Sequence, residues 1–176
     1  DMPDVNIAEQ SVIVAGYGRV GHTVSVLLEA SNIPFIAFDA NINRVLQGKV
    51  DNHPVIYGDI SDPTLLHTLH VERAALVIIT VDNSDTALQM IHYLRRTCPQ
   101  IPIIARARDI ETCKQLLQAG AINVYPETVE ASLLLGTTAL EILQIPPHNI
   151  EQVIQDLRAK GYKPIINDEE KRSTSP

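Results

Sequence analysis

Short apolar runs alternate with longer amphipathic segments along this chain. The run over residues 76–79 is wholly apolar and rich in β-branched residues, as strands buried on both faces of a sheet are. The segments between such runs have helical patterning, as in 83–97. The predicted strands are 11–15, 34–38, 54–57, 75–80, 102–106 and 122–125. The predicted helices are 19–30, 41–49, 62–69, 83–97, 109–118, 128–143 and 148–160.

This alternation with short loops predicts the α/β class. We expect a Rossmann-like, doubly wound parallel sheet of six strands with helices on both faces, followed by a short helical appendage. Residues 1–10 are expected to be a linker at the start of a fragment, and 11–143 the nucleotide-binding domain. Residues 144–176 are expected to be a C-terminal helix with a mobile tail, because two prolines break the chain near 146 and the tail has almost no apolar content.

The most informative motif is the Gly-x-Gly-x-x-Gly turn of Gly16, Gly18 and Gly21, which follows the first strand and opens a helix. The first glycine permits the tight turn, the second lets the backbone approach a pyrophosphate, and the third lets helix and strand pack closely. Asp39 ends the second strand, at the distance from the turn expected of a ribose-binding carboxylate. The turn and the acid together predict a nucleotide site.

Loops after the other strands should reach the same edge of the sheet, where ligands of open α/β sheets bind. Asp39 favours a ribose 2′-hydroxyl over a 2′-phosphate, which predicts AMP, ADP, ATP, NAD or NADH; Arg44 could accept a phosphate and leaves NADP open. Asp59 is placed to read an adenine edge. The predicted nucleotide-binding residues are Gly16, Tyr17, Gly18, Arg19, Val20, Gly21, Asp39, Ala40, Arg44, Gly58, Asp59, Ile60, Thr80, Val81, Asp82 and Arg106.

Several of these positions have a second interpretation. Arg19 is either a clamp on phosphate or on a second anionic ligand, or a solvated residue at the start of a helix. We expect only one of Arg106 and Arg108 to face the site, on the argument that alternate residues at a strand end point opposite ways. Tyr125 and Glu127 either line the outer lip of the site or take part in packing.

Composition narrows the function classes. A net charge of −7 without a basic stripe disfavours nucleic acid, and no apolar run approaches the length of a membrane span. The two cysteines are expected to be free thiols, and no metal site is predicted, because His67 and His70 have no further ligands near them. We find no catalytic acid–base pair near the turn, which favours a nucleotide sensor over an enzyme.

Further motifs carry a family resemblance over about residues 10–143. The motifs are the glycine turn, Tyr57-Gly58-Asp59, Ala105-Arg106-Ala107-Arg108-Asp109, Ala119-Gly120-Ala121 and Pro126-Glu127-Thr128. Together they resemble the RCK (regulator of potassium conductance) or TrkA-N domain. Within that family the chain is most similar to the C-terminal domain of potassium/proton antiporters of the glutathione-regulated potassium efflux (Kef) type.

The resemblance implies a regulatory domain on the cytoplasmic side of an inner-membrane antiporter, attached to its membrane transport module. It implies an adenine nucleotide as ligand and a homodimer formed through 128–143 as a crossover helix. The apolar face expected to be buried in that dimer consists of Leu133, Leu134, Leu135, Leu140, Ile142 and Leu143.

The resemblance also bears on a second ligand. Arg19 and one of Arg106 or Arg108 resemble the basic residues that hold glutathione, and Arg19, Arg108 and Glu127 are candidate second-ligand or interface residues. Residues 145–149 do not match the segment that completes the family's glutathione pocket. Two alternatives remain open: the gating domain of a potassium channel or channel subunit, and a fragment of an NAD-dependent oxidoreductase.

Overall fold

The computed structural model describes residues 10–59, 62–166 and 172, and within them a single parallel sheet. The strands lie in the order β3-β2-β1-β4-β5-β6, which confirms the doubly wound, Rossmann-like architecture. Each predicted strand is present, with its ends shifted by no more than one residue. The strands are β1 (Val12–Ala15), β2 (Phe35–Asp39), β3 (Val55–Tyr57), β4 (Leu76–Ile79), β5 (Ile103–Ala107) and β6 (Asn123–Pro126).

The predicted helices are also present, and local capping signals set several of their ends. Asp62 caps α3 by accepting the Thr64 amide, with Pro63 as the first helical residue, and Gly120 ends α5 with a positive φ of 128°. The helices are α1 (Arg19–Ala30), α2 (Ile42–Val50), α3 (Pro63–Thr68), α4 (Ser84–Thr97), α5 (Ile110–Ala119), α6 (Glu127–Ile142) and α7 (Pro147–Ala159).

The core lies in two layers, one on each face of the sheet. Along β1, Ile13 and Ala15 point into the larger layer, which includes buried residues of α3, α4 and α5. Val12 and Val14 point into the smaller layer, which includes Val45 of α2. Successive side chains of a strand therefore pack into opposite layers. Because both layers are apolar, the central strands are continuous apolar runs in the sequence.

Arg95 of α4 ties together the loops at the far edge of the larger layer. Its guanidinium donates to the carbonyl oxygens of Gly120 and Ile101, each at 2.8 Å, and to that of Pro99 at 3.1 Å. Charged donors to three backbone carbonyls hold the turn after α4 against the end of α5.

The C-terminal helices are less buried. All of α6 lies in the described part of the chain and none of its residues is buried; Leu134 and Leu135 are 70% and 75% exposed. Arg158 and Tyr162 donate to the Glu130 carboxylate and thereby hold α7 and the segment after it on α6. Those hydrogen bonds, the ones from Arg158 first, hold the pKa of Glu130 below its usual range. Across the described residues, none of the helices is both long enough and apolar enough to cross a membrane.

Candidate functional site

The glycine turn between β1 and α1 depends on close backbone contacts. Gly16 has φ of 111°, and a Cβ there would lie 2.7 Å from the Thr80 hydroxyl oxygen. A Cβ on Gly21 would lie 1.9 Å from the Gly16 carbonyl oxygen. The Thr80 hydroxyl lies 2.8 Å from that same carbonyl oxygen and donates to it. The turn thus packs tightly against the end of β4, and only glycine fits at its first and third positions.

The N-terminus of α1 is open to an anion. Gly18 is the N-cap, it offers no side-chain cap among the described residues, and the first helical turn holds no acidic residue. Its φ of −80° is ordinary, and a Cβ there would meet only the Arg44 guanidinium, at 3.5 Å. Unpaired amide groups and a guanidinium therefore face the space above the turn, which is the arrangement that binds phosphate at a helix N-terminus.

Asp39 lies behind the turn and is 5% exposed. Its Oδ2 accepts the Tyr17 amide at 2.8 Å and lies 3.4 Å from an Arg44 nitrogen, while its Oδ1 accepts the Asn41 amide at 2.8 Å. Each carboxylate oxygen has more than one acceptor position, so these bonds leave acceptor capacity for a hydroxyl group. The carboxylate therefore orders the turn and keeps acceptor capacity for a further hydrogen bond.

A cleft of about 430 Å³ opens above the turn. It brings together nine of the sequence-predicted nucleotide-binding residues and Glu127, the predicted outer-lip residue. Thr23 and Val24 of α1 also line it and were not predicted; their signal is helical spacing from Arg19 and Val20, which places them one turn further on the same face. The complete lining is Gly16, Gly18, Arg19, Val20, Thr23, Val24, Arg44, Thr80, Val81, Asp82, Arg106 and Glu127.

Other predicted residues lie outside this lining. Tyr17 has a buried ring, Gly21 packs beneath the turn, Asp39 is the last residue of β2 and Ala40 follows it. Gly58 and Asp59 follow β3, where the Gly58 amide donates to the Asp39 carbonyl. Ile60 lies outside the described residues. Tyr125, for which the sequence left both the outer lip and packing open, faces a different, more apolar hollow between α5 and the segment after α7.

Arg106 and Arg108 do not divide for the reason the sequence argument gave. Arg106 donates to the Thr80 carbonyl and Glu127 and lines both the cleft and an adjoining hollow of about 350 Å³, whereas Arg108 lines the hollow and not the cleft. Both guanidinium groups nevertheless donate to Asp82. Residues two apart share a face of a strand, so the alternation argument was wrong. The two differ in position because Arg108 lies beyond the end of β5.

A polar network that sequence reasoning missed lies beside the turn. The Tyr17 hydroxyl donates to Asp51 at 2.8 Å and lies 2.6 Å from His53 Nδ1. Burial raises the pKa of Tyr17, and the hydrogen bond from Tyr17 holds the pKa of Asp51 below its usual range. Tyr17 lies more than 30 residues from Asp51 and His53 in the chain, so no local sequence signal joins it to them.

Relatives of known description match most of this chain. It is 34% identical over 155 residues to a putative K(+) efflux antiporter KefB of Alkalimonas amylolytica, covering 88% of this chain and 23% of that protein. It is 30% identical over 149 residues to the glutathione-regulated potassium-efflux system protein KefC of Escherichia coli, and the match covers 85% of this chain and 24% of that protein. The chain therefore spans about a quarter of the length of each of these two relatives.

Solved structures with the same fold include a nucleotide-bound domain. The Kef C-terminal domain of Shewanella denitrificans in its AMP-bound form has a TM-score of 0.70 and 28% identity, covering 88% of this chain and 94% of that one. The GsuK channel bound to NAD has a TM-score of 0.66 at 24% identity, and the match covers 77% of this chain and 24% of that one. At this identity the similarity shows only a shared fold.

A family model settles the classification. The model described as the TrkA-N domain matches residues 12–126, from the first residue of β1 to the last of β6. This range is more than half of the 176 residues and contains the glycine turn, Asp39 and Arg106. The chain belongs to the TrkA-N domain family.

Proposed function

We propose that this chain is the nucleotide-sensing regulatory domain of a potassium/proton antiporter, on the cytoplasmic side of the membrane, and that an adenine nucleotide binds in the cleft above the glycine turn. One observation carries the proposal: the cleft joins an uncapped helix N-terminus to Arg19, Arg44 and Arg106. The similarity to Kef antiporters and to an AMP-bound Kef domain supports it.

The phosphate of the nucleotide would lie above Gly18. There the first amide groups of α1 have no side-chain cap in the described structure, and the Arg44 guanidinium lies across the turn. Arg19 is exposed at the mouth of the same cleft. Partial positive charge at the helix end and two guanidinium groups would favour one or two phosphate groups.

The ribose would bind towards Asp39. The carboxylate retains acceptor capacity for ribose hydroxyl groups, while a 2′-phosphate would face its negative charge. Arg44 contacts both Asp39 and the space above Gly18, so we assign it to the nucleotide's phosphate rather than to a 2′-phosphate. We therefore propose AMP, NAD or NADH as ligand, with ADP and ATP as weaker candidates and NADP disfavoured. Gly58 and Asp59 would lie towards the adenine.

The nucleotide would act by changing the balance between two arrangements of a homodimer. The exposed leucines of α6 form an apolar surface that a second copy of α6 would cover. A ligand shifts such a balance only if its affinity differs between the arrangements. Arg108 and Glu127 border the hollow beside the cleft, where a second ligand such as glutathione would bind.

A thermal-shift and calorimetry panel tests nucleotide binding. The ligands are AMP, ADP, ATP, NAD, NADH, NADP and glutathione, because a ligand that binds the folded state raises the melting temperature. Arg44→Gln should weaken AMP binding about tenfold or more through the lost charged contact. Arg96→Gln, an exposed arginine of α4, is the matched control and should bind like the wild type. No shift with any adenine nucleotide at millimolar concentration would contradict the proposal.

Light scattering after size exclusion tests the dimer. Leu135→Ser should yield monomers if α6 forms the interface, because it places a hydroxyl in an apolar contact. Leu117→Ser, an exposed leucine of α5, is the control and should leave the mass unchanged. A wild-type monomer at high concentration would contradict this part of the proposal without affecting nucleotide binding.

The alternatives have separate tests. Apolar runs of about 20 residues in the gene upstream of Asp1 would be counted to separate an antiporter from a channel. Turnover of NADH with carbonyl substrates that is lost in Asp39→Ala would favour an oxidoreductase. The similarity to efflux antiporters favours the antiporter over both alternatives.

A further inference from the structure

Three side chains able to bind a metal converge beside the glycine turn. They are His22 on α1, Asp51 at the end of α2 and His53 just before β3. One ligand atom from each lies within 4.8 Å of the other two, and His22 Nε2 is 3.5 Å from Asp51 Oδ2. Ligand atoms around a tetrahedral zinc ion are about 3.3 Å apart, so this pair already has nearly the required separation.

Glu29 holds the His53 ring in one orientation, as a carboxylate beside a zinc-bound histidine does. A Glu29 oxygen lies 2.8 Å from His53 Nε2, and the His53 side chain is only 7% exposed. An ionised carboxylate can only accept, so the proton of a neutral His53 is on Nε2 and the lone pair of Nδ1 points towards the cluster. This tautomer is the one that a metal ion at Nδ1 requires.

The cluster has one hydrogen for two acceptors. The Tyr17 hydroxyl lies 2.8 Å from Asp51 Oδ2 and 2.6 Å from His53 Nδ1, and it can donate to only one of them. Either a proton on His53 Nδ1 or a metal ion bound by the two acceptors would complete the remaining contact.

We propose that His22 Nε2, Asp51 Oδ2 and His53 Nδ1 form a Zn²⁺ site. Two imidazoles and a carboxylate form a ligand set suited to zinc, and three protein ligands leave a fourth position for water. His22 is nearly half exposed, so it can turn towards the ion and leaves a route from solvent. The Tyr17 hydroxyl contacts both Asp51 Oδ2 and His53 Nδ1 in this structure, so it would move away from His53 Nδ1 on zinc binding and donate to Asp51 alone.

The proposal is independent of the nucleotide site, although both use the turn that carries Tyr17. Zinc binding is therefore measured without nucleotide, and its failure would leave the nucleotide proposal unaffected. The chain is purified without a histidine tag, stripped with a chelator, and titrated with ZnCl₂ against a chromophoric competitor. The same protein titrated with Co²⁺ reports coordination geometry by its visible spectrum. We expect one Zn²⁺ per chain and a tetrahedral or five-coordinate Co²⁺ spectrum.

Variants separate this site from adventitious binding. His22→Gln is the mildest ligand change because the side chain is exposed, and it should lower the zinc affinity at least tenfold. Glu29→Gln should lower the zinc affinity about 10- to 100-fold, the range for loss of a carboxylate that orients a zinc-bound histidine. Tyr17→Phe should retain zinc, because the phenol is not a ligand. His92→Gln, an exposed histidine of α4, is the control and should bind zinc like the wild type.

Three results would overturn the assignment. The first is a wild-type chain that binds no zinc, and the second is zinc affinity unchanged in His22→Gln. The third comes from ¹⁵N NMR of the imidazoles: His53 resonances that move with pH but not with zinc would show that the cluster takes up only a proton. Thermal melts of each variant establish that a loss of zinc binding is not a loss of folding.

Discussion

A methyl group at Gly21 should separate the packing of the glycine turn from its binding function. In Gly21→Ala, the new Cβ would lie 1.9 Å from the Gly16 carbonyl oxygen and 3.0 Å from the Thr80 hydroxyl. The close neighbour is backbone, which has no rotamer to change. The start of α1 must therefore move away from β1 by about 1 Å, in a region that is packed at the density of a crystal.

The expected loss of stability is the balance of two effects. Overpacking a well-packed site typically costs up to about 3 kcal/mol, and alanine is better than glycine inside a helix by about 1 kcal/mol. The free energy of unfolding should fall by about 2 kcal/mol, which lowers the melting temperature by roughly 4–8 °C for a chain of this size.

Gly18→Ala is the matched control. Its Cβ would have no neighbour closer than 3.5 Å and its φ is ordinary, so the loss should stay below about 1 kcal/mol, the difference between glycine and alanine at an N-cap. The same methyl group covers the space above the turn, so AMP binding should weaken. Urea unfolding followed by circular dichroism, with calorimetry for AMP, measures both. Equal stability of Gly21→Ala and the wild type would refute the close-packing argument.

Three further outcomes follow from contacts described above. Arg95→Met should lower the free energy of unfolding by about 2–3 kcal/mol, because three carbonyl groups lose a charged donor. The control Arg96→Met should change it by less than about 0.5 kcal/mol, and equal effects of the two variants in urea unfolding would contradict the role of Arg95. Folding lowers the pKa of Glu130, so the ionised carboxylate stabilises the fold above its unfolded pKa, and this contribution is lost as the pH falls through the folded pKa. Glu130→Gln should therefore destabilise the chain at pH 7 and flatten the acid limb of its stability–pH curve. An unchanged acid limb would contradict this role of Glu130. Burial raises the pKa of Cys113, so a thiol reagent should modify the partly exposed Cys98 first in the native chain. Peptide mass spectrometry measures the two modification rates, and equal rates would contradict this expectation.

Local patterns in the sequence determined the architecture of this protein. The apolar runs, the helical stretches between them and signals such as Asp62-Pro63 and Gly120 placed every strand and helix to within one residue. The glycine turn and Asp39 indicated the edge of the sheet at which a nucleotide would bind. These features depend on neighbours in the chain, or on the general rule that parallel strands end at a common edge, and so they are visible before folding.

Tertiary structure decided which side chains meet. Arg106 and Arg108 both reach Asp82 because β4 and β5 are adjacent in the sheet, and the alternation of side chains along a strand does not by itself identify that neighbour. His22 and His53 approach one another because α1 and the segment before β3 lie on the same side of the sheet's first half. Contacts of this kind depend on the order of the strands in the sheet and on which elements pack on the same face. Those quantities are set by packing of the whole chain and leave no periodic trace in the sequence.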